Sequence, residues 1–176
     1  MGRAVHLFFR FLDLLLAALL AAMAGMVFVN VVLRYAMNSG IAMSDELSRF
    51  AFVWLTFIGA VVAHHHRLHM GMETLVARFG RRGRLVLMGF SDLLILGGAV
   101  VLTVGTWKQL PINASMNAAV SGLSMAWVYG IGLFAGTGIA LITLERLFRL
   151  LRGRITEAEL AAFGGDMDHH AQERVE

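Results

Sequence analysis

Long apolar runs separated by short polar segments set the pattern of the chain. Three of them, 12–33 (LDLLLAALLAAMAGMVFVNVVL), 85–106 (LVLMGFSDLLILGGAVVLTVGT) and 124–148 (SMAWVYGIGLFAGTGIALITLERLF), have the length needed to cross a bilayer. That length is about 20 residues for roughly 30 Å of hydrocarbon. A fourth run has a shorter wholly apolar core, 50–63 (FAFVWLTFIGAVVA). Just before it, Ser44 has the side chain of a helix N-cap, and Asp45 and Glu46 would fall in the first turn, where the helix dipole favours acids. The second span is therefore placed at 45–66, and Arg49 must snorkel toward the interface. The pattern predicts an all-α integral membrane protein with four transmembrane helices. The first run is too long, and lacks the small-residue cleavage site, for a removed signal peptide, so the N-terminus is expected to stay.

Between the second and third spans the period changes. In LHMGMETLVARFGRRGR, Leu68, Met72, Leu75, Val76 and Phe79 recur at helical spacing, Glu73 and Arg78 fall elsewhere, and Gly80 and Gly83 end the pattern. This predicts a short amphipathic helix over 68–79, lying in the interface against membrane lipids. An ordinary surface helix packed on the ends of the spans fits the same residues. Beyond the membrane domain, 1–155, the tail 156–176 reads as a short helix over 156–163 followed by a polar, partly disordered end.

Composition agrees with this class, since 58% of residues are hydrophobic and only 15% are charged. There is no cysteine, which removes disulfides and thiolate metal sites. All basic residues except Lys108 are arginine, and their placement bears on topology and lipid head groups rather than on nucleic acid. Arg3 and Arg10 precede the first span, Arg67, Arg78, Arg81, Arg82 and Arg84 lie between the second and third, and Arg146, Arg149, Arg152 and Arg154 lie at or just beyond the end of the fourth. Only Arg34, Arg49 and Lys108 lie on the opposite side, so both termini and the middle loop are expected in the cytoplasm. Trp107, Trp127 and Tyr129 sit at the opposite interface, as an aromatic belt would.

Chemistry at depth needs polar groups, and the spans hold few: Asp13, Asn30, Asp92 and Glu145. Asp92, about two turns into the third span, could carry protons or sodium; the plainer reading, and the preferred one, makes it the buried partner of an arginine or of a backbone group. The stretch AHHHRLHM packs His64, His65, His66 and His69 together. If the second helix ran on, His65 and His69 would share a face and could chelate a metal, yet Glu73 is the nearest carboxylate, and no metal or cofactor is expected. The histidines fall outside the apolar cores of the spans, which argues against bis-histidine haem, and no phosphate-binding loop occurs. No catalytic residue is assigned. Small-residue strips, Ala17 with Ala21 and Gly25, Gly59 with Ala63, and Gly132 with Gly136, suit close helix packing, either internal or with a partner.

One block is more specific: NVVLRYAMNSGIAMSDELSRFAFVWLTFIGAVVAHHHRLHMGME, 30–73. It resembles the DctQ-like family, the small four-span membrane subunit of tripartite ATP-independent periplasmic (TRAP) transporters. The family's Arg-Tyr pair at the end of the first span is matched by Arg34 and Tyr35. Its acidic pair and arginine opening the second are matched by Asp45, Glu46 and Arg49, and its aromatic span with a Gly-Ala step by Trp54, Gly59 and Ala60. Its basic residue, histidine and acid after that span are matched by Arg67, His69 and Glu73. Before the fourth span Trp127 and Tyr129 match, but the proline often found there is missing, and His64, His65 and His66 look peculiar to this chain.

The resemblance implies a non-catalytic scaffold in a bacterial inner membrane. Its partners would be a large multi-span transport subunit, which it braces, and a periplasmic substrate-binding protein; the cargo would be an organic anion such as a carboxylate, moved on an ion gradient. Asp45, Glu46, Arg34 and Arg49 would form a charged cluster at the outer interface, with Asp45 and Arg49 one turn apart, serving either as anchors or in docking the binding protein. A self-sufficient ion carrier centred on Asp92 and a small metal protein built on the histidine cluster remain as alternatives.

Overall fold

A computed structural model of the chain describes residues 3–66 and 80–153. Its helices are α1 (Arg3–Met37), α2 (Ala42–His65), α3 (Arg81–Ala114), the short α4 (Met125–Tyr129) and α5 (Ile131–Leu151). Among the described residues the only β pairing is an isolated bridge between Asn117 and Ser124. Four segments, with α4 and α5 together forming the last, are long and apolar enough to cross a membrane, so the protein is an all-α, multi-pass membrane protein. The proposed interfacial helix at 68–79 and the tail helix at 156–163 lie outside the described residues.

The helices extend past the apolar runs. α1 has 35 residues, about 52 Å at the α-helical rise, and carries Arg3, Arg10 and Arg34 beyond or at the ends of its apolar stretch. α2 begins earlier than the cap at Ser44 required. Its N-cap is Ile41, which offers no side-chain acceptor, and Ser44 lies inside the helix. The Ser44 hydroxyl is committed elsewhere: it donates to the carbonyl of Met26 on α1 at 3.0 Å and so fastens two helices rather than ending one.

The fourth span is likewise not one continuous helix. Ser124 caps α4, its hydroxyl accepting from the Ala126 N–H at 3.3 Å, and the chain turns at Gly130 before α5. A Cβ on Gly130 would stand 2.5 Å from the Ala126 carbonyl oxygen, so the tight step between the two helices needs glycine.

Packing places the helices in a row, α1 beside α2, α2 beside α5, and α5 beside α3. The α3–α5 contact is the most extensive, and glycine accounts for it. A Cβ on Gly136 would lie 3.1 Å from the Ala99 carbonyl and against the Thr103 hydroxyl, and one on Gly132 would meet Thr106 at 2.8 Å. The Gly132/Gly136 strip is thus consumed inside the molecule. Ala17, Ala21 and Gly25 instead form an exposed strip on α1, with nothing within 4 Å of a Cβ at Gly25. The apolar core is small, Phe9, Leu12, Ile58, Val61, Val62 and Ala135. In lipid, apolar contact drives helix association weakly, so polar links between helices carry more of the architecture.

Candidate functional site

Those polar links gather at the two ends of the row. At one end, where the 38–41 turn and the 115–124 loop lie, Asn30 is buried within the apolar face of α1. Its amide donates to Asp45 at 2.8 Å, and its carbonyl accepts the N–H of Ile41 at 2.8 Å, so a single side chain closes the α1–α2 turn. Asn38 takes the left-handed conformation there, φ 49°, which asparagine tolerates better than most residues. Arg34 reaches Asp45 at 4.0 Å, with both side chains largely exposed, a loose contact contributing little. Tyr35 next to it is 86% exposed.

Glu46 is the best-anchored acid at this end. Its residue is 4% exposed, and its carboxylate accepts the N–H of Val120 at 3.0 Å, the N–H of Ser121 at 2.8 Å and the Ser121 hydroxyl. The loop it holds folds on itself: Ala118 donates to the Leu123 carbonyl at 2.8 Å, and Gly122 adopts φ 69°. Trp54 adds a second tie, its indole N–H donating to the Trp127 carbonyl at 3.2 Å. Within this group of four charges, Arg34 and Asp45 stay in loose contact and the Arg49 charge acts on Glu46, while Asp45 also accepts from α1, Glu46 accepts from the loop, and Arg49, although one turn from Asp45, forms no ion pair with it.

At the other end, Asp92 is fully buried, and Arg146 on α5 embraces it, Nε donating to Oδ2 at 2.9 Å and Nη2 to Oδ1. This is the arginine partner that the sequence left unnamed. Of the cluster, three histidines are described, and His65 and His66 meet edge to face with ring centroids 5.5 Å apart. His64, buried, shares a 2.8 Å hydrogen bond with Thr143 on α5. His65 stacks on Phe9, ring centroids 3.4 Å apart, and His66 faces Asp13 at 3.6 Å. His64 and His65 belong to the last turn of α2, within the stretch 45–66 assigned to the second span. Among the described residues no three His, Asp or Glu side chains are gathered as a metal would need.

The remaining motif positions behave individually. Gly59 meets Leu16 at ordinary contact, 3.9 Å from a built Cβ. Trp127 is 73% exposed and Tyr129 is exposed as well. Arg67, His69 and Glu73 lie outside the described residues. Three partners went unrecognised in the sequence. Ser121 acts partly through its backbone, Thr143 is one threonine among apolar residues, and Arg146 reads equally well as a topological charge.

Comparison with known proteins adds an independent finding. The family model described as "Tripartite ATP-independent periplasmic transporters, DctQ component" matches residues 23–153. A putative TRAP transporter small permease protein of Haemophilus influenzae is 34% identical over 159 residues, covering 88% of this chain and 99% of its own. The C4-dicarboxylate TRAP transporter small permease protein DctQ of Pseudomonas aeruginosa is 30% identical over 128 residues, 70% of this chain and 61% of that one. The sialic acid TRAP transporter small permease protein SiaQ of Vibrio cholerae is 20% identical over 140 residues, 80% and 81% respectively.

Proposed function

The chain belongs to the DctQ family of TRAP transporter small permease components, and from that membership we propose that it is the non-catalytic scaffold of a secondary-active transporter. It braces a large transport subunit in the bacterial inner membrane, with both termini cytoplasmic. A periplasmic binding protein delivers the cargo, an organic anion bearing a carboxylate, and an ion gradient drives uptake. The support for a carboxylate is that relatives are named for C4-dicarboxylates and for sialic acid, both carboxylic acids.

One observation carries the scaffold reading: four buried ionisable or amide side chains join helix to helix or helix to loop. Asn30 joins α1 to α2, Glu46 joins α2 to the 115–124 loop, His64 joins α2 to α5, and Asp92 joins α3 to α5. Groups used this way stiffen the row and are not held open for a passing substrate. A moving transport unit needs such a fixed neighbour of matching hydrophobic thickness.

The deciding experiment is reconstitution. The chain is expressed with and without its large subunit and binding protein, and uptake of a labelled dicarboxylate into proteoliposomes is followed under a sodium gradient. Co-purification with the large subunit, with uptake only when all three proteins are present, supports the scaffold. Uptake by this chain alone would overturn it.

A further inference from the structure

Arg49 is the only charged residue of α2 between Glu46 and His64, and its position is unusual. It is exposed, yet among the described residues it forms no hydrogen bond or ion pair. The nearest acids are already engaged, Glu46 by the 115–124 loop and Asp45 by Asn30 and Arg34. Beside Arg49 an open apolar groove of about 610 Å³ runs between α1 and α2, lined by Met23, Val27, Phe28 and Val31 on one side and Phe52 on the other. The antiparallel contacts Asn30–Asp45 and Ser44–Met26 set Arg49 near the level of Met26, below the polar end of the row.

We propose that this groove binds one membrane phospholipid, its acyl chain along α1 and its phosphate on the Arg49 guanidinium. Two features favour a lipid over a protein helix. From Met23 to Val31 the groove rises about 12 Å, close to the depth of one leaflet of a hydrocarbon layer of about 30 Å. The guanidinium, which acts electrostatically on Glu46 but makes no hydrogen bond or ion pair among the described residues, offers a planar set of donors that matches a phosphate bidentately, and a cation at this depth snorkels toward head groups. Apart from Ser48 and Arg49 the groove lining is apolar, which suits an acyl chain. The inference stands on the groove and on Arg49, independently of the transport role.

The test is native mass spectrometry of the full chain in mild detergent, alone and with its large subunit. The delipidated protein is then offered dioleoyl-phosphatidylglycerol, dioleoyl-phosphatidylethanolamine or dioleoylglycerol. The expected result is retention of a phospholipid and uptake of either phosphatidyl lipid, but not of dioleoylglycerol, which lacks the phosphate. Arg49→Gln should weaken retention about tenfold, the effect of losing a charge-assisted hydrogen bond, with Arg49→Lys intermediate. Val27→Trp keeps the arginine, fills the groove and should exclude the lipid; unchanged melting temperatures show that the variants are folded. Equal binding of dioleoylglycerol, no retained phospholipid in the wild type, or equal retention in all variants overturns the proposal. So does loss of the large subunit from Arg49→Gln with its lipid intact, because the groove would then seat a protein helix.

Discussion

The carboxylate of Glu46 on α2 accepts the backbone N–H of Ser121 at 2.8 Å, a hydrogen bond between residues 75 positions apart. An acid that begins a membrane helix therefore also shapes the loop that leads into the last span. Backbone N–H groups gathered on one carboxylate fix loop geometry without requiring any particular loop side chain, the Ser121 hydroxyl excepted.

Glu46→Ala should release this loop. The N–H groups of Val120 and Ser121 lose their acceptor, so protease cleavage within 115–124 should accelerate several-fold while far-UV circular dichroism keeps its helical signal. Glu46→Gln, which retains an acceptor oxygen, should be milder. Equal cleavage of Glu46→Ala and wild type would show that the loop is held by something else.

Breaking one side of the Asp92–Arg146 pair leaves a buried charge unmatched, which costs about 3–5 kcal/mol. Asp92→Asn and Arg146→Met should each lower the melting temperature sharply. The double replacement Asp92→Leu, Arg146→Met should recover most of the loss and support uptake in the assembled transporter. A stable double variant that has lost uptake would assign Asp92 a part in ion movement.

Two glycines at similar helical positions should respond oppositely to alanine. At Gly136 the added methyl meets the Ala99 carbonyl and Thr103, and overpacking of this kind costs about 1–3 kcal/mol. At Gly25 nothing lies within 4 Å, so Gly25→Ala should be neutral or slightly stabilising in the isolated chain. Thermal unfolding in detergent separates the two. If Gly25→Ala instead prevents co-purification of the large subunit, the exposed strip on α1 is a contact with it.

Replacing His64, His65 and His66 together by glutamine should leave assembly and uptake intact. It should lower stability by about 1–2 kcal/mol through loss of the Thr143 hydrogen bond and the Phe9 stack. A chelator should not shift the melting temperature of the wild type. A shift with the chelator that disappears in the triple variant would reveal a metal.

Because the chain has no cysteine, topology can be read from introduced ones. Ser39→Cys, in the α1–α2 turn, should react with an impermeant maleimide added to intact spheroplasts, and Arg152→Cys, after α5, only after lysis. The reverse pattern would invert the orientation set by the arginines.

The membrane spans were legible because a bilayer demands long apolar runs, and no soluble alternative fits the stretches around Leu14, Val62, Val100 or Ile139. Local chemistry was less legible. Ser44 reads as a cap because its side chain suits one, but an acceptor on α1, the Met26 carbonyl, claims its hydroxyl. Asp92 signals a buried partner, yet Arg146 is indistinguishable in sequence from Arg149 or Arg152. His64 looked interfacial because it opens a polar run, and only the packing of α5 brings Thr143 to it. Pairings between helices depend on which helices become neighbours, and apolar patterning in a membrane does not encode that order.

The Asp92–Arg146 pair also constrains how the protein is made. The two residues are 54 positions apart, so at about 5–20 residues per second the arginine is synthesised about 3–11 s after the aspartate. During that interval the third span holds a carboxylate with no guanidinium to meet it, and release into lipid is unfavourable. Membrane insertion of the third and fourth spans should therefore be coupled in time, the earlier segment entering the bilayer with the later one as a matched hairpin; equal insertion of the third span in chains that end before Arg146 would show that it enters alone.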